Sequence, residues 1–296
     1  MDRISDALER ARENAIPVGA IRSNRVTRLR EEIPESPVPE TPAGIRYTQT
    51  RTVHIAPEVL REHRLVDGFG AGNYRDSYKI LCTQVLQRLR ENDWNALAVT
   101  SPAGGEGKTL TAINLAISLS HEVDCTVLLV DADLRAPGIH RCFGLPAGPG
   151  LGDYLTARVA LADVLVHPGI DRLVLLPGGT PLANSSEMLG SQRMMNLVQE
   201  LKGRYPSRII VFDLPPVLSA ADALAFSPYV DAAVLVVEEG ASDREQVQRA
   251  AEMLGSTRLL GTVLNKSRQA RSVDSTRRPG WLARLLRRGK DRTRHV

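Results

Sequence analysis

Six short, nearly unbroken apolar runs punctuate the chain: Ala96–Thr100 (ALAVT), Thr126–Val130 (TVLLV), Leu173–Leu176 (LVLL), Ile209–Phe212 (IIVF), Ala233–Val237 (AVLVV) and Leu259–Leu264 (LLGTVL). A strand with one wet face alternates apolar and polar residues. Runs without that alternation predict strands buried on both faces, as in a parallel sheet covered by helices. Segments of helical length lie between them, among them Thr109–Leu119, Ser191–Leu201 and Arg244–Leu254. Upstream, Tyr74–Leu89 places Tyr78, Leu81, Val85 and Leu89 on one helical face, which predicts a packed helix before the first core strand. The alternation predicts an α/β fold: a doubly wound, mostly parallel sheet flanked by helices, with ligands bound beyond the carboxyl ends of the strands.

The flanks read differently. Met1–Ile16 carries Ile4, Leu8, Ala11 and Ala15 at helical spacing, a thin apolar stripe. From Pro17 to about Thr50 the chain is polar and spotted with Pro34, Pro37, Pro39 and Pro42, so it lacks both helix donors and the apolar surface to fold, and it reads as a linker. The expected organisation is therefore a short helix and disordered linker over 1–50, one domain over 51–267 and a basic tail over 268–296. In that tail Trp281, Leu282, Leu285 and Leu286 cluster beside Arg284, Arg287 and Arg288, a pattern suited to an anionic membrane surface or an acidic partner, or simply to a solubilising tail.

Composition narrows the class. With 296 residues, 43% of them hydrophobic, the chain has ample apolar surface for a core. Cys82, Cys125 and Cys142 fall into no metal-ligand spacing, and neither a signal peptide nor a run approaching roughly 18 apolar residues is present. A reducing, cytoplasmic protein is expected, and any membrane association would have to go through a partner or a surface patch. Aromatic residues make up only 4% and no base-reading element is visible, which argues against nucleic acid as the partner.

Chemistry concentrates at the strand ends. Between the first run and its helix stands SPAGGEGKTL, Ser101–Leu110. Gly104, Gly105 and Gly107 let backbone N–H groups turn inward on an anion at a helix N-terminus, Lys108 can neutralise phosphate charge, and the Thr109 hydroxyl can ligate Mg²⁺. Pro102 stands where the usual pattern has its first glycine. The second run ends in LLVDADLRAP, with Asp131 and Asp133 spaced to face the same way on an extended segment, followed by Arg135. The fourth ends in IIVFDLPP with Asp213. Three carboxylates beside a lysine would repel unless a cation balanced them. Asp222 and Asp231, by contrast, read as turn or helix caps.

These stretches resemble the bacterial tyrosine kinases of polysaccharide co-polymerase systems, a capsule and exopolysaccharide group within the deviant P-loop ATPases. The matches are SPAGGEGKT, LLVDADLR in the apolar-D-x-D-x-R form, and IIVFDLPP in the apolar-D-x-x-P form; GLGDYL, LLPGGTPLANSSEMLGS, DALAF and GTVLNKS match more weakly. MDRISDALERARENA and YKILCTQVLQRLREN look most like stand-alone cytoplasmic kinases of exosortase-type exopolysaccharide loci. In that family the first loop glycine is commonly absent, so Pro102 is no objection. The resemblance implies ATP held by Gly104, Gly105, Glu106, Gly107, Lys108, Thr109 and Leu110, with Mg²⁺ held by Thr109, Asp131, Asp133 and Asp213. It also implies transfer of the γ-phosphoryl to tyrosine, Asp131 activating the hydroxyl. Lys108, Asp131 and Asp133 are the expected catalytic residues. Arg135 could bind a phosphate oxygen or pair with Asp133. Asn265 matches an adenine-recognising position and could equally be a satisfied strand-end amide. The implied partners are a membrane chain-length regulator (co-polymerase), a protein tyrosine substrate and further copies of the chain.

Two departures bear on mechanism. The tail Arg271–Val296 contains no tyrosine, so autophosphorylation of a tyrosine-rich tail is impossible, leaving Tyr47, Tyr74, Tyr78 or a separate protein. In DSYKILCTQ, Asp76 and Lys79 keep the charges of the family's ring-closing E-x-x-R-x-x-R-T-N, but Cys82 replaces an arginine whose fork a thiol cannot imitate. A partition or cell-division-site type of switching ATPase shares the fold, but carries a lysine where this chain has Ala103 and usually a glutamine where it has Arg135. An ATP-binding regulator of an export complex, without catalysis, is the remaining alternative.

Overall fold

Asp131 and Asp213 stand directly opposite one another across two neighbouring parallel strands, and Val99 is the partner of Asp213 on its other side. That register gathers the strand-end chemistry at one edge of the sheet. The computed structural model describes residues 50–267 apart from 205, 206, 220 and 256; the expected N-terminal helix, the linker with Tyr47 and the basic tail lie outside the described residues.

Eight strands form one sheet: β1 (Arg51–Thr52), β2 (Ala96–Thr100), β3 (Thr126–Asp131), β4 (Val166–His167), β5 (Leu173–Leu176), β6 (Arg208–Asp213), β7 (Ala232–Glu238) and β8 (Arg258–Asn265). Their order is β1-β4-β5-β3-β6-β2-β7-β8, parallel throughout except where β4 meets β5. Among the described helices, seven bear on the core and the site: α1 (Asn73–Glu91), α2 (Lys108–Ser120), α3 (Ile139–Cys142), α4 (Ser185–Leu189), α5 (Gln192–Arg204), α6 (Asp222–Phe226) and α7 (Arg244–Met253). The doubly wound fold expected from the apolar runs is the one observed.

Successive side chains of a strand point to opposite faces. Here both faces are dry: Leu97, Val99, Val127 and Leu129 pack with α1 and α2, while Ala98, Leu128, Val130 and Phe212 pack with α5 and α6. Unbroken apolar runs are the sequence mark of that double burial. β8 departs from it. Among the described residues it pairs only with β7, and Leu264 is 59% exposed, so the last run is an edge strand with a wet face rather than a strand buried on both sides.

α1 covers the expected span, and Tyr78, Cys82, Val85, Leu86 and Leu89 form its buried face, with Leu81 only partly buried. Cys82, 1% exposed, points into the domain's own core, where burial pushes its thiol up to about 12. α2 starts directly after the glycine loop and ties the preceding segment down: buried Asn114 accepts from the Val66 N–H (2.9 Å) and donates to the Arg64 carbonyl (3.0 Å) and the Tyr74 hydroxyl (2.9 Å). Among the described residues no helix is long and apolar enough to cross a membrane.

Candidate functional site

The loop after β2 is anchored by the neighbouring strand ends. The Thr100 hydroxyl donates to the Pro215 carbonyl (2.7 Å), and the Val217 N–H donates to the Ser101 carbonyl. Gly105 and Gly107 adopt φ of 84° and 92°, a region open to glycine and costly to other residues. At Gly107 a Cβ would also stand 2.1 Å from the Asn265 amide nitrogen. Gly104 has open space around it, and half-buried Leu110 packs on the core. This is the narrow, glycine-lined turn at a helix N-terminus on which anions bind.

Lys108 opens α2 and turns back over the strand ends. Its ammonium donates to Asp133 Oδ2 (2.8 Å) and to Thr109 Oγ1 (3.3 Å), and lies 3.9 Å from Asp213 Oδ1. Burial works against its charge, but Asp213, Asp133 and Asp131 outweigh that and hold its pKa above the usual lysine range. Asp131 Oδ2 accepts from the backbone N–H groups of Gly138 (2.8 Å) and Ile139 (2.9 Å) at the start of α3. Its Oδ1 and both oxygens of Asp213 are buried without a well-formed hydrogen bond. Burial, reinforced by Asp213, pushes the Asp131 carboxyl well above the ordinary carboxylate range. Burial does the same to Asp213, against the pull of Lys108 and the Thr109 hydroxyl.

Buried carboxylate oxygens without well-formed hydrogen bonds are costly, and they are the hard donors that a small divalent cation takes. Among the described residues no set of three or more Asp, Glu, His or Cys side chains is assembled to hold a metal unaided. Mg²⁺ characteristically needs only one or two carboxylates, with phosphate oxygens and water completing its shell, so the donors present fit it. Gly178 packs against this site: a Cβ there would lie 2.7 Å from Pro137 and 3.3 Å from the Asp131 carboxyl carbon.

Arg135 does not pair with Asp133. Its guanidinium is committed to Asp222 (Nε to Oδ2, 2.7 Å), which also accepts from the hydroxyls of Ser185 and Ser186. Asp222 opens α6 as a fully buried counter-ion, not as the simple cap its sequence context implies. Burial alone would raise its pKa, but these donors together hold it below the usual value. Asp231, the other expected cap, accepts from the Asn95 and Ala96 N–H groups (3.1 and 3.0 Å) and from Lys202. Asp133 is braced separately, accepting from the Ala136 N–H at 3.3 Å.

Asn265, at the end of β8, donates to the Glu106 carbonyl (2.8 Å) and so holds the glycine loop itself. Buried Glu106 turns its carboxylate to the Ala103 N–H (3.3 Å) and the Ser242 hydroxyl. Sequence reading missed Ser242, Lys266 and Glu238, which complete this arrangement; Lys266 lies beside Asn265, but nothing in the chain pattern joins either to a loop about 160 residues earlier, since only the β7–β8 register does so.

Residues 97–278 match the model of the CobQ/CobB/MinD/ParA nucleotide binding domain. The tyrosine-protein kinase YwqD of Bacillus subtilis is 32% identical over 192 residues, spanning 64% of this chain and 80% of the relative. The tyrosine-protein kinase CpsD of Streptococcus agalactiae is 31% identical over 173 residues, 57% and 74% of the two chains. Among solved structures, the kinase domain of the Escherichia coli tyrosine kinase ETK superposes with a TM-score of 0.62 at 27% identity, covering 67% of this chain and 78% of that one.

Proposed function

The chain belongs to the bacterial tyrosine-protein kinases within the CobQ/CobB/MinD/ParA nucleotide-binding family, and from that premise we propose that it transfers the γ-phosphoryl of ATP to a tyrosine hydroxyl of a protein substrate. The observation that carries this reading is the charge arrangement around Lys108: a largely buried ammonium set among Asp131, Asp133 and Asp213, three of whose carboxylate oxygens make no well-formed hydrogen bond, beside a glycine-lined anion loop.

In this reading the N–H groups of Gly104 to Leu110 and the Lys108 ammonium bind the β and γ phosphates. Positioning and charge neutralisation then do most of the catalytic work, as phosphoryl transfer requires. Asp131 is held in place by the Gly138 and Ile139 amides, which leaves Oδ1 directed at neither. That oxygen takes the phenolic proton while the tyrosine oxygen bonds to the γ-phosphorus and the bond to the β–γ bridging oxygen breaks, releasing ADP. Thr109, Asp133, Asp213 and Asp131 are the residues that would hold Mg²⁺, which when bound supplies further neutralisation of phosphate charge. Asn265 keeps the loop closed, and an adenine contact would have to come from the remaining face of its amide.

The reading extends to a role in exopolysaccharide chain length, polymerisation or export, with the kinase cytoplasmic and brought to the membrane by a co-polymerase partner. Multimeric assembly belongs to the same reading. The test is phosphotyrosine formation by the purified chain with ATP, Mg²⁺ and the cytoplasmic segment of the membrane partner. Lys108→Met is expected to lower the signal by at least about a hundredfold, the order seen when one transition-state charge is removed. ATP binding with no phosphotyrosine would favour the non-catalytic regulator instead.

A further inference from the structure

We infer that Lys266, Glu238 and Ser242 are positioning residues that hold the phosphate loop from its outer side and set how tightly it binds nucleotide phosphates. The inference rests on the ATP-binding reading above.

A backbone cradle binds anions through N–H groups turned inward, and in a planar trans peptide the carbonyl of one residue points opposite to the N–H of the next. Fixing a carbonyl on the outside of the loop therefore fixes an N–H on the inside. The Lys266 ammonium donates to the Gly105 carbonyl at 2.8 Å, which orients the Glu106 N–H. The Asn265 amide donates to the Glu106 carbonyl at 2.8 Å, which orients the Gly107 N–H. A charged donor on a carbonyl also polarises that peptide and makes its N–H a stronger donor to a bound anion.

These outer contacts converge on the end of β7. Glu238 Oε2 accepts from the same Lys266 ammonium at 2.8 Å. Its N–H donates to the Ser242 hydroxyl oxygen (3.2 Å), and that hydroxyl donates to the buried carboxylate of Glu106. The other Glu106 oxygen accepts from the Ala103 N–H, so the loop is gripped at Ala103, Gly105 and Glu106. Lys266 has φ 55°, an uncommon conformation for a residue with a side chain; it turns the chain sharply at the end of β8, where the ammonium meets the loop.

The test uses the full chain. The dissociation constant for ADP with Mg²⁺ is measured by calorimetry, the thermal midpoint is taken without nucleotide, and kcat and KM for ATP are taken with the substrate segment. Lys266→Met keeps the aliphatic stem and removes the charge; it is expected to weaken ADP about tenfold and raise KM similarly with kcat nearly unchanged, the thermal midpoint staying at the parent value. Ser242→Ala should act in the same direction and Lys266→Arg should restore most of the affinity. Unchanged ADP affinity in both Lys266→Met and Ser242→Ala overturns the inference. So does a loss of affinity matched by a fall in thermal midpoint, which would mark a merely structural role. If the parent chain binds no nucleotide, the kinase reading itself fails, an outcome separate from either of these.

Discussion

Arg135 follows Asp133 by two residues, yet its guanidinium reaches Asp222, 87 positions along the chain. The buried carboxylate then needs Arg135, Ser185 and Ser186 together, because a charge removed from water must be hydrogen-bonded or neutralised. A pH dependence follows. Asp222 is held below its ordinary value of 3.8, so between that value and its folded one the unfolded chain binds more protons than the native protein. The stabilisation is present above pH 3.8 and is lost as pH falls through the folded value. Comparing thermal midpoints of the parent and Asp222→Asn from pH 7 down to about 3, the gap between them should narrow at the acid end; a gap that stays constant would contradict this account.

At the level of elements, α1 shows a helix whose span and inner face are readable from periodicity while the meaning of one position is not. Where the resembled ring-closing motif has an arginine, this chain has Cys82, and its thiol lies within the apolar cluster that seats α1 on the sheet. Cys82→Arg therefore should not restore a subunit contact. It would carry a guanidinium into an apolar layer and lower stability by about 3 kcal/mol, read as a lower denaturant midpoint with no gain in oligomer size by light scattering. β8 makes the complementary point. Its apolar run resembles the central strands, but position in the sheet decides burial: among the described residues β8 is the edge strand, and Leu264 faces water.

For the whole molecule, the site exists because parallel strands bring their carboxyl ends to one edge. β2 supplies the glycine loop, β3 and β6 the two opposed aspartates, and β7 and β8 the residues that close the loop from outside. The same packing engages two candidate acceptors. Tyr78 is 9% exposed, and the Tyr74 hydroxyl donates to the Arg64 carbonyl at 2.6 Å while accepting from Asn114. Partial burial, with Tyr78 beside it, pushes the hydroxyl of Tyr74 above the ordinary tyrosine range, although the residue is still 36% exposed, and its hydrogen bonds occupy it. Mass spectrometry of the phosphorylated protein and its substrate segment is expected to find phosphate on neither ring. The phosphotyrosine yield of Tyr74→Phe should stay within about twofold of the parent, the lost hydrogen bonds costing only stability; modified Tyr74 or Tyr78 would overturn this.

What the chain alone determined is whatever depends on local pattern. Unbroken apolar runs mark strands covered by helices, so six of the eight described strands, their parallel arrangement and the longer helices between them were legible, while the two-residue β1 and β4 were not. The loop glycines, Lys108 and the aspartates at strand ends were legible too, because phosphate and metal chemistry restricts residue type at short spacing. Tertiary structure alone decided the rest: Arg135 with Asp222, the inward face of Cys82, the wet face of β8, and the grip of Asn265 and Lys266 on the glycine loop. Each depends on which segments, far apart in sequence, meet or fail to meet. That is fixed by strand order and register, and a composition or a period carries no record of either.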